Sequence, residues 1–249
     1  MCVLAFAWMA HPRWHLVMAG NRDELHARGA DPLSQWPGSQ VIAGRDIQAG
    51  GTWAGVGTGG RFAVVTNLRG YGLPIAGRHS RGDLVIDMLS ETESCGSIQP
   101  IQLDRYNPFN LIVADPRRAW FLSNRPEARC EELSEGVLGL ANGALDEAWP
   151  RTVQLRDAMQ DWLDADALDP ALLLAPLREE WLPSAPGDTT ADETAHAPVF
   201  IRNPIYGTRC STVIAIARDG AGTIMERRFD MQGKSTGDTE IGFRWQMDL

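Results

Sequence analysis

The sequence has no apolar run near the roughly 18 residues of a membrane span, no excess of basic residues, and no two cysteines at CxxC spacing. Each absence removes a class of protein. Without a long apolar run, a spanning helix is excluded. The net charge of −9, from 23 Lys and Arg against 32 Asp and Glu, opposes nucleic-acid binding, which needs a basic stripe to neutralise phosphates. It equally disfavours docking to anionic lipid. Four scattered cysteines, Cys2, Cys95, Cys130 and Cys210, suit neither a structural zinc site nor a disulfide framework. None of the five histidines (His11, His15, His26, His79 and His196) has metal-ligand spacing, so no metal and no cofactor are expected. Internal repeats and sustained heptads are also missing. The apolar residues 3–10 lack a basic flank and are too few for a signal peptide, so a cytoplasmic location is expected.

What is present is an ordinary globular composition, 44% hydrophobic and 22% charged over 249 residues, enough for one large domain. Residues 2–8 and 14–20 read as a hairpin around His11-Pro12-Arg13, followed by a polar loop over 21–40. Strand patterns follow at 52–56, 62–66, 110–114, 119–123 and 137–141, and again at 211–217, 224–229 and 240–245. Helical spacing marks 83–89, with Ser80 as N-cap. A helical pair is expected at about 150–182 (residues 152–163 and 170–181), then a mobile surface loop at 183–198. Hairpins outnumber strand–helix–strand units, which predicts an α+β fold of mainly antiparallel sheets in a single domain spanning 1–249.

Gly55-Val56-Gly57-Thr58-Gly59-Gly60 satisfies GxGxxG, but a strand follows it where a dinucleotide site needs a helix, so it reads as a hairpin turn. Cys2 carries the sharper signal. Loss of Met1 would leave a thiol and an α-amine on one residue, and such an amine has a pKa of about 7.7–8.0. It can take the thiol proton, making one residue both nucleophile and base. Asn21-Arg22-Asp23-Glu24 ends the strand beside Cys2. Arg22 there would lower the thiol pKa, and Asp23 or Glu24 would hold the amine; the plain alternative is a solvated loop. Asn67 and Asn142 end strands, as turn formers or as oxyanion donors. Arg209 opens a late strand, as a surface cation or as a support for an oxyanion. Trp14, Trp36 and Trp53 are candidates for an apolar wall around a small-molecule ligand with an apolar part, with core packing as the alternative.

Met1-Cys2, Asn21-Arg22-Asp23-Glu24, Gly50-Gly51-Thr52-Trp53, Thr66-Asn67-Leu68-Arg69, Leu140-Ala141-Asn142-Gly143 and Gly207-Thr208-Arg209-Cys210-Ser211-Thr212 occur in one order along nearly the whole chain. Together they resemble the NRDE family, the proteins similar to transport-and-Golgi-organisation protein 2. That family in turn resembles the N-terminal-nucleophile hydrolases of the penicillin V acylase and bile salt hydrolase branch. The resemblance implies a four-layer αββα sandwich and a Cys2 nucleophile cleaving a non-peptide amide through a thioester acyl-enzyme. It also implies that Asn67 and Asn142 serve as oxyanion donors and that Arg209 is the late arginine. Around the second strand two registers remain: an ungapped match sets Asn21 and Glu24 beside the nucleophile, and a local shift sets Arg22 and Asp23 there. The alternative implication is a non-catalytic protein of the same fold that handles haem or lipid and acyl groups.

Overall fold

A computed structural model describes residues 2–90, 103–180 and 196–247. Cys95, the end of the expected second helix at Trp181, and all but the last three residues of the expected 183–198 loop lie outside the described residues. Strand β1 (Cys2–Trp8) is buried along its whole length, and the two-residue period of a strand sends its side chains to two different cores. Leu4, Phe6 and Trp8 join Leu16 and Met18 of β2 (Trp14–Leu25) between the two sheets. Val3, Ala5 and Ala7 join Val17 and Ala19 under the helical layer of this sheet. Full burial of a side chain such as Phe6 stabilises by about 1.5–3 kcal/mol, so a strand packed on both faces anchors the fold.

The first sheet is completed by β10 (Gly136–Leu140), β11 (Tyr206–Ala217), β12 (Ala221–Phe229) and β13 (Ser235–Arg244), in the order β10-β1-β2-β11-β12-β13. The second sheet runs in sequence order: β3 (Ala30–Gln35), β4 (Val41–Asp46), β5 (Ala54–Gly57), β6 (Arg61–Asn67), β7 (Phe109–Ala114), β8 (Ala119–Ser123) and β9 (Arg129–Glu132). Every strand pairing within the two sheets is antiparallel. Helix α1 (Arg81–Ser90) covers the second sheet through Leu84, Val85 and Leu89. Helix α2 (Pro150–Asp164) covers the first through Leu155, Met159 and Trp162. The layers are therefore helix, sheet, sheet, helix, as expected from the resemblance.

Two expectations are corrected. The polar stretch 21–40 is not one loop: β2 continues through Leu25, and β3 forms within it. Those polar residues are strand because β11 pairs with 21–25, β1 with Asn21 and Arg22, and β4 with β3. Residues 170–178 are two 3₁₀ turns (Pro170–Leu174 and Pro176–Arg178) rather than a second α-helix. Pro176 lacks the N–H for an i→i−4 bond, and its ring would clash with the carbonyl of Leu172. The hairpin reading of 57–60 holds, with β5 and β6 pairing across it. Likewise Ser80 Oγ accepts from Gly82 N at 3.2 Å at the start of α1.

The Gly50-Gly51-Thr52-Trp53 motif has a packing role. Gly50 turns at φ +80°, and a Cβ on Gly51 would fall 2.4 Å from the Gly82 carbonyl carbon. Backbone meets backbone there, which seats the first turn of α1 against the extended segment that leads into β5. Gly51→Ala should therefore destabilise the fold by about 1–3 kcal/mol through overpacking, read as a lower midpoint in urea unfolding.

Candidate active site

The inner faces of the two sheets diverge at one end of the sandwich around a cavity of about 300 Å³. Cys2, Arg22, Asp23, Glu24, Asn67 and Arg209 all border it. Strand register sets this grouping. Cys2 pairs with Arg22 across β1–β2, and Arg22 pairs with Cys210 across β2–β11. The Arg22 guanidinium thus occupies the row between two thiols. Between Thr208 and Cys210 the β11 ladder skips one residue, opposite Asp23 and Arg22. This bulge lets the successive residues Arg209 and Cys210 both border the cavity.

The segment Asn21 to Glu24 divides its side chains between the two faces of β2. Asn21 is fully buried, donating to the carbonyls of Leu177 (2.8 Å) and Val199 (2.9 Å) and accepting from Ser211 Oγ at 2.6 Å. It ties the 3₁₀ layer to the sheet and does not border the cavity. Arg22 binds Asp46 Oδ2 at 2.8 Å, with Glu24 at 3.7 Å. Its Nη1 is buried and has no partner among the described residues. Asp46 also holds Arg28 at 2.7 Å. Burial alone would raise the Asp46 pKa, but the bonds from Arg28 and the Ala49 N–H, with the Arg28 and Arg22 charges, keep it below the usual value.

Asp23 is buried and accepts from Thr208 Oγ1 at 2.7 Å. Burial raises its pKa to about 6, against the lowering effect of the Thr208 bond and of Arg151 and Arg22. Burial likewise pushes the Cys2 thiol up; the Asp23 charge adds to this and Arg22 opposes it. At rest the sulfur is therefore protonated and needs a base.

Asn67 ends β6 at the cavity, whereas Asn142 is fully buried and does not reach it. Asn142 Nδ2 donates to both the backbone carbonyl and Oδ1 of Asn67, each at 2.8 Å. Its own Oδ1 accepts from Arg151 Nη2 at 2.8 Å. Once Oδ1 of Asn67 is held by Asn142, the Asn67 amino group is the end left to face the cavity. Arg209 donates to His26 Nδ1 at 2.8 Å, and His26 Nε2 donates to the Asn203 carbonyl.

Of the tryptophans, only Trp53 borders the cavity. The other two are not part of a ligand wall. Trp14 packs on Trp162 under α2, and Trp36 lies beneath Arg45 and donates to the Ala43 carbonyl. Sequence reasoning passed over Arg81, Arg228 and Glu226, which also border the cavity, and Arg151, which is fully buried behind it. Each sits singly in an ordinary helix or strand, so no local motif marks it.

The sequence model of the family described as Transport and Golgi organisation 2 matches residues 1–231. The chain belongs to this family. A curated relative is the Transport and Golgi organization protein 2 homolog of Bos taurus, 32% identical over 91% of this chain and 92% of the relative. The Homo sapiens homolog is 29% identical with the same coverage. Among solved structures, the fold is shared with the N-acylethanolamine-hydrolyzing acid amidase ortholog of Caenorhabditis elegans. That match has a TM-score of 0.51 and 13% identity, over 86% of this chain and 92% of that one. It is shared too with the C2A mutant of conjugated bile acid hydrolase from Clostridium perfringens (TM-score 0.51, 10% identity, 99% and 98% covered). This member of the Transport and Golgi organisation 2 family thus has the N-terminal-nucleophile hydrolase architecture expected from its sequence. Among its described residues, no helix is long and apolar enough to cross a membrane.

The raised pKa of Asp23 has a consequence for stability. The native state binds a proton more tightly than the unfolded chain between the ordinary aspartate value of 3.8 and about 6. Stability from this group is therefore full below pH 3.8 and is lost as pH rises through 6. Relative to Asp23→Asn, the wild type should lose on the order of 3 kcal/mol across that window. Parallel urea unfolding of the two proteins at pH 4, 5, 6 and 7 measures the difference, and parallel curves would refute it.

Proposed function

We propose that this protein is an N-terminal-cysteine amidohydrolase, acting on a non-peptide amide of a small molecule. The observation that carries this reading is the cavity-facing row Cys2–Arg22–Cys210, with the amide of Asn67 on the same cavity. The fold shared with two hydrolases supports it. Residue 2 pairs with Arg22, next to Asp23, so an α-amine exposed there by removal of Met1 would meet Asp23, ionised at pH 7.

The chemistry balances within that set. The Cys2 thiol proton passes to the α-amine, and the sulfur bonds to the substrate carbonyl carbon, whose π electrons move to oxygen. The Asn67 amino group donates to that oxyanion. Collapse breaks the C–N bond, and the ammonium returns its proton to the leaving amine. Water then attacks the thioester, gives a proton to the α-amine, and the C–S bond breaks to restore the thiol. Arg22 lowers the energy of the transient thiolate. Asp23 holds the amine, and Glu24 with Asp46 fixes Arg22. Asn142 and Arg151 are positioning residues that orient Asn67, and Arg209 borders the oxyanion side as a cation.

Intact-mass measurement should show the chain without Met1. At pH 7, iodoacetamide should then alkylate Cys2 faster than the exposed Cys130, while Cys210, whose pKa burial drives far up, stays unlabelled. A retained Met1, or Cys2 slower than Cys130, favours the second reading, a binding protein for haem or lipid and acyl groups. The buried, protonated state of the thiol is the observation on that side. For a substrate found by screening amides, Cys2→Ala should abolish turnover. Asn67→Ala should lower kcat by about 10²–10³-fold. Asn142→Ala should also lower kcat while leaving KM nearly unchanged.

A further inference from the structure

The cavity has an electrostatic character opposite to that of the whole chain. Its basic side chains are, apart from one histidine, all arginines, and Lys234, which does not border it, is the single lysine of the protein. Arg22 and Arg28 are balanced by Asp46 and Glu24. Five others, Arg45, Arg78, Arg81, Arg209 and Arg228, have no carboxylate in ion-pair contact among the described residues. Among the described residues, four of them each make one hydrogen bond, to a neutral group. Arg45 donates to the Gly50 carbonyl at 3.1 Å. Arg81 donates to the Pro108 carbonyl at 3.0 Å, Arg228 donates to the Ala30 carbonyl at 2.5 Å, and Arg209 donates to His26.

The acids left to face them are Asp23, Asp31 and Glu226, and Asp23 is held by Thr208 Oγ1 at 2.7 Å. Asp31 is exposed at the rim, and Glu226 accepts from the Leu33 N–H at 2.9 Å. Burial raises the Glu226 pKa. Burial also lowers the pKa of Arg81 and Arg209, whose side chains are partly withdrawn from water. A desolvated guanidinium without a carboxylate partner is expensive unless something anionic completes it. The planar fork of arginine matches the paired oxygens of a carboxylate or phosphate.

We infer that the cavity binds a substrate through an oxyanion group, a carboxylate or a phosphate, clasped by Arg81, Arg228 and Arg209 while the amide lies at Cys2. This deepens the amidohydrolase reading and rests on it for the amide. The anion subsite itself stands on the arginines alone. Trp53 and Val65 on the same wall leave room for an apolar part between the two ends.

The test uses full-length Cys2→Ala protein, so that binding is read without turnover. Isothermal titration compares N-acetylglycine, its neutral twin N-acetylglycinamide, and N-acetylaminomethylphosphonate. An anionic probe should bind at least tenfold more tightly than the neutral one, and the tighter of the two names the carboxylate or the phosphate. Arg81→Gln and Arg228→Gln, added singly, should each reduce that preference severalfold, with Arg81→Lys retaining part of it. Equal binding of charged and neutral probes overturns the inference. So does a preference untouched by either glutamine variant, or no binding of either anion at about 20 mM. The probe comparison needs no arginine variant to fold. An anion preference without any amide cleavage by wild type would sink the hydrolase reading and leave the subsite standing. Cleavage of neutral amides as fast as anionic ones would do the reverse.

Discussion

The site depends on β2 being paired on both edges. A chain of four polar residues would ordinarily be solvated, yet here β11 pairs along all four and β1 pairs with Asn21 and Arg22. Once Asn21 to Glu24 are held extended, the strand period decides where each side chain goes. Asn21 pins the 3₁₀ layer, Arg22 enters the cavity between the thiols of Cys2 and Cys210, and Asp23 takes the Thr208 hydroxyl. A one-residue slip would exchange these roles, and the buried bonds of Asn21 to Leu177, Val199 and Ser211 prevent it.

Two electrostatic arrangements share this strand and differ in kind. In the cavity, Asp46 accepts from two guanidiniums and from two backbone N–H groups, so its charge is fully compensated. Deeper in, Asp23 and the fully buried Arg151 influence one another electrostatically, and Asp23, with its pKa raised to about 6, sits near the edge of ionisation. The first arrangement gives a fixed charge pattern. The second makes the surroundings of Cys2 sensitive to pH.

Much of the fold was legible in the sequence because its buried strands are short apolar runs bounded by turn residues. The expected strands within β1, β5–β8 and β10–β12 follow that pattern, and the glycine-rich turn at 57–60 was readable from the strand after it. The polar half of β2, the short β3 and the edge strand β9 were not, since cross-strand pairing rather than patterning makes them strands. Cys2, Arg22, Asp23, Glu24, Asn67 and Arg209 could be nominated from strand ends and then fall around one cavity. Whether Arg22 or Asn21 would stand beside the thiol could not be read from spacing; pairing with β1 sets it. Arg81, Arg151 and Arg228 come from separate elements, and only tertiary packing gathers them.

The bulge in β11 separates the chemistry of residue 209 from the integrity of the sheet. Because residue 209 is the extra position, the ladder on either side closes without reference to what side chain it bears. The guanidinium on that wall of the chamber is therefore supported by the sheet without holding the sheet together.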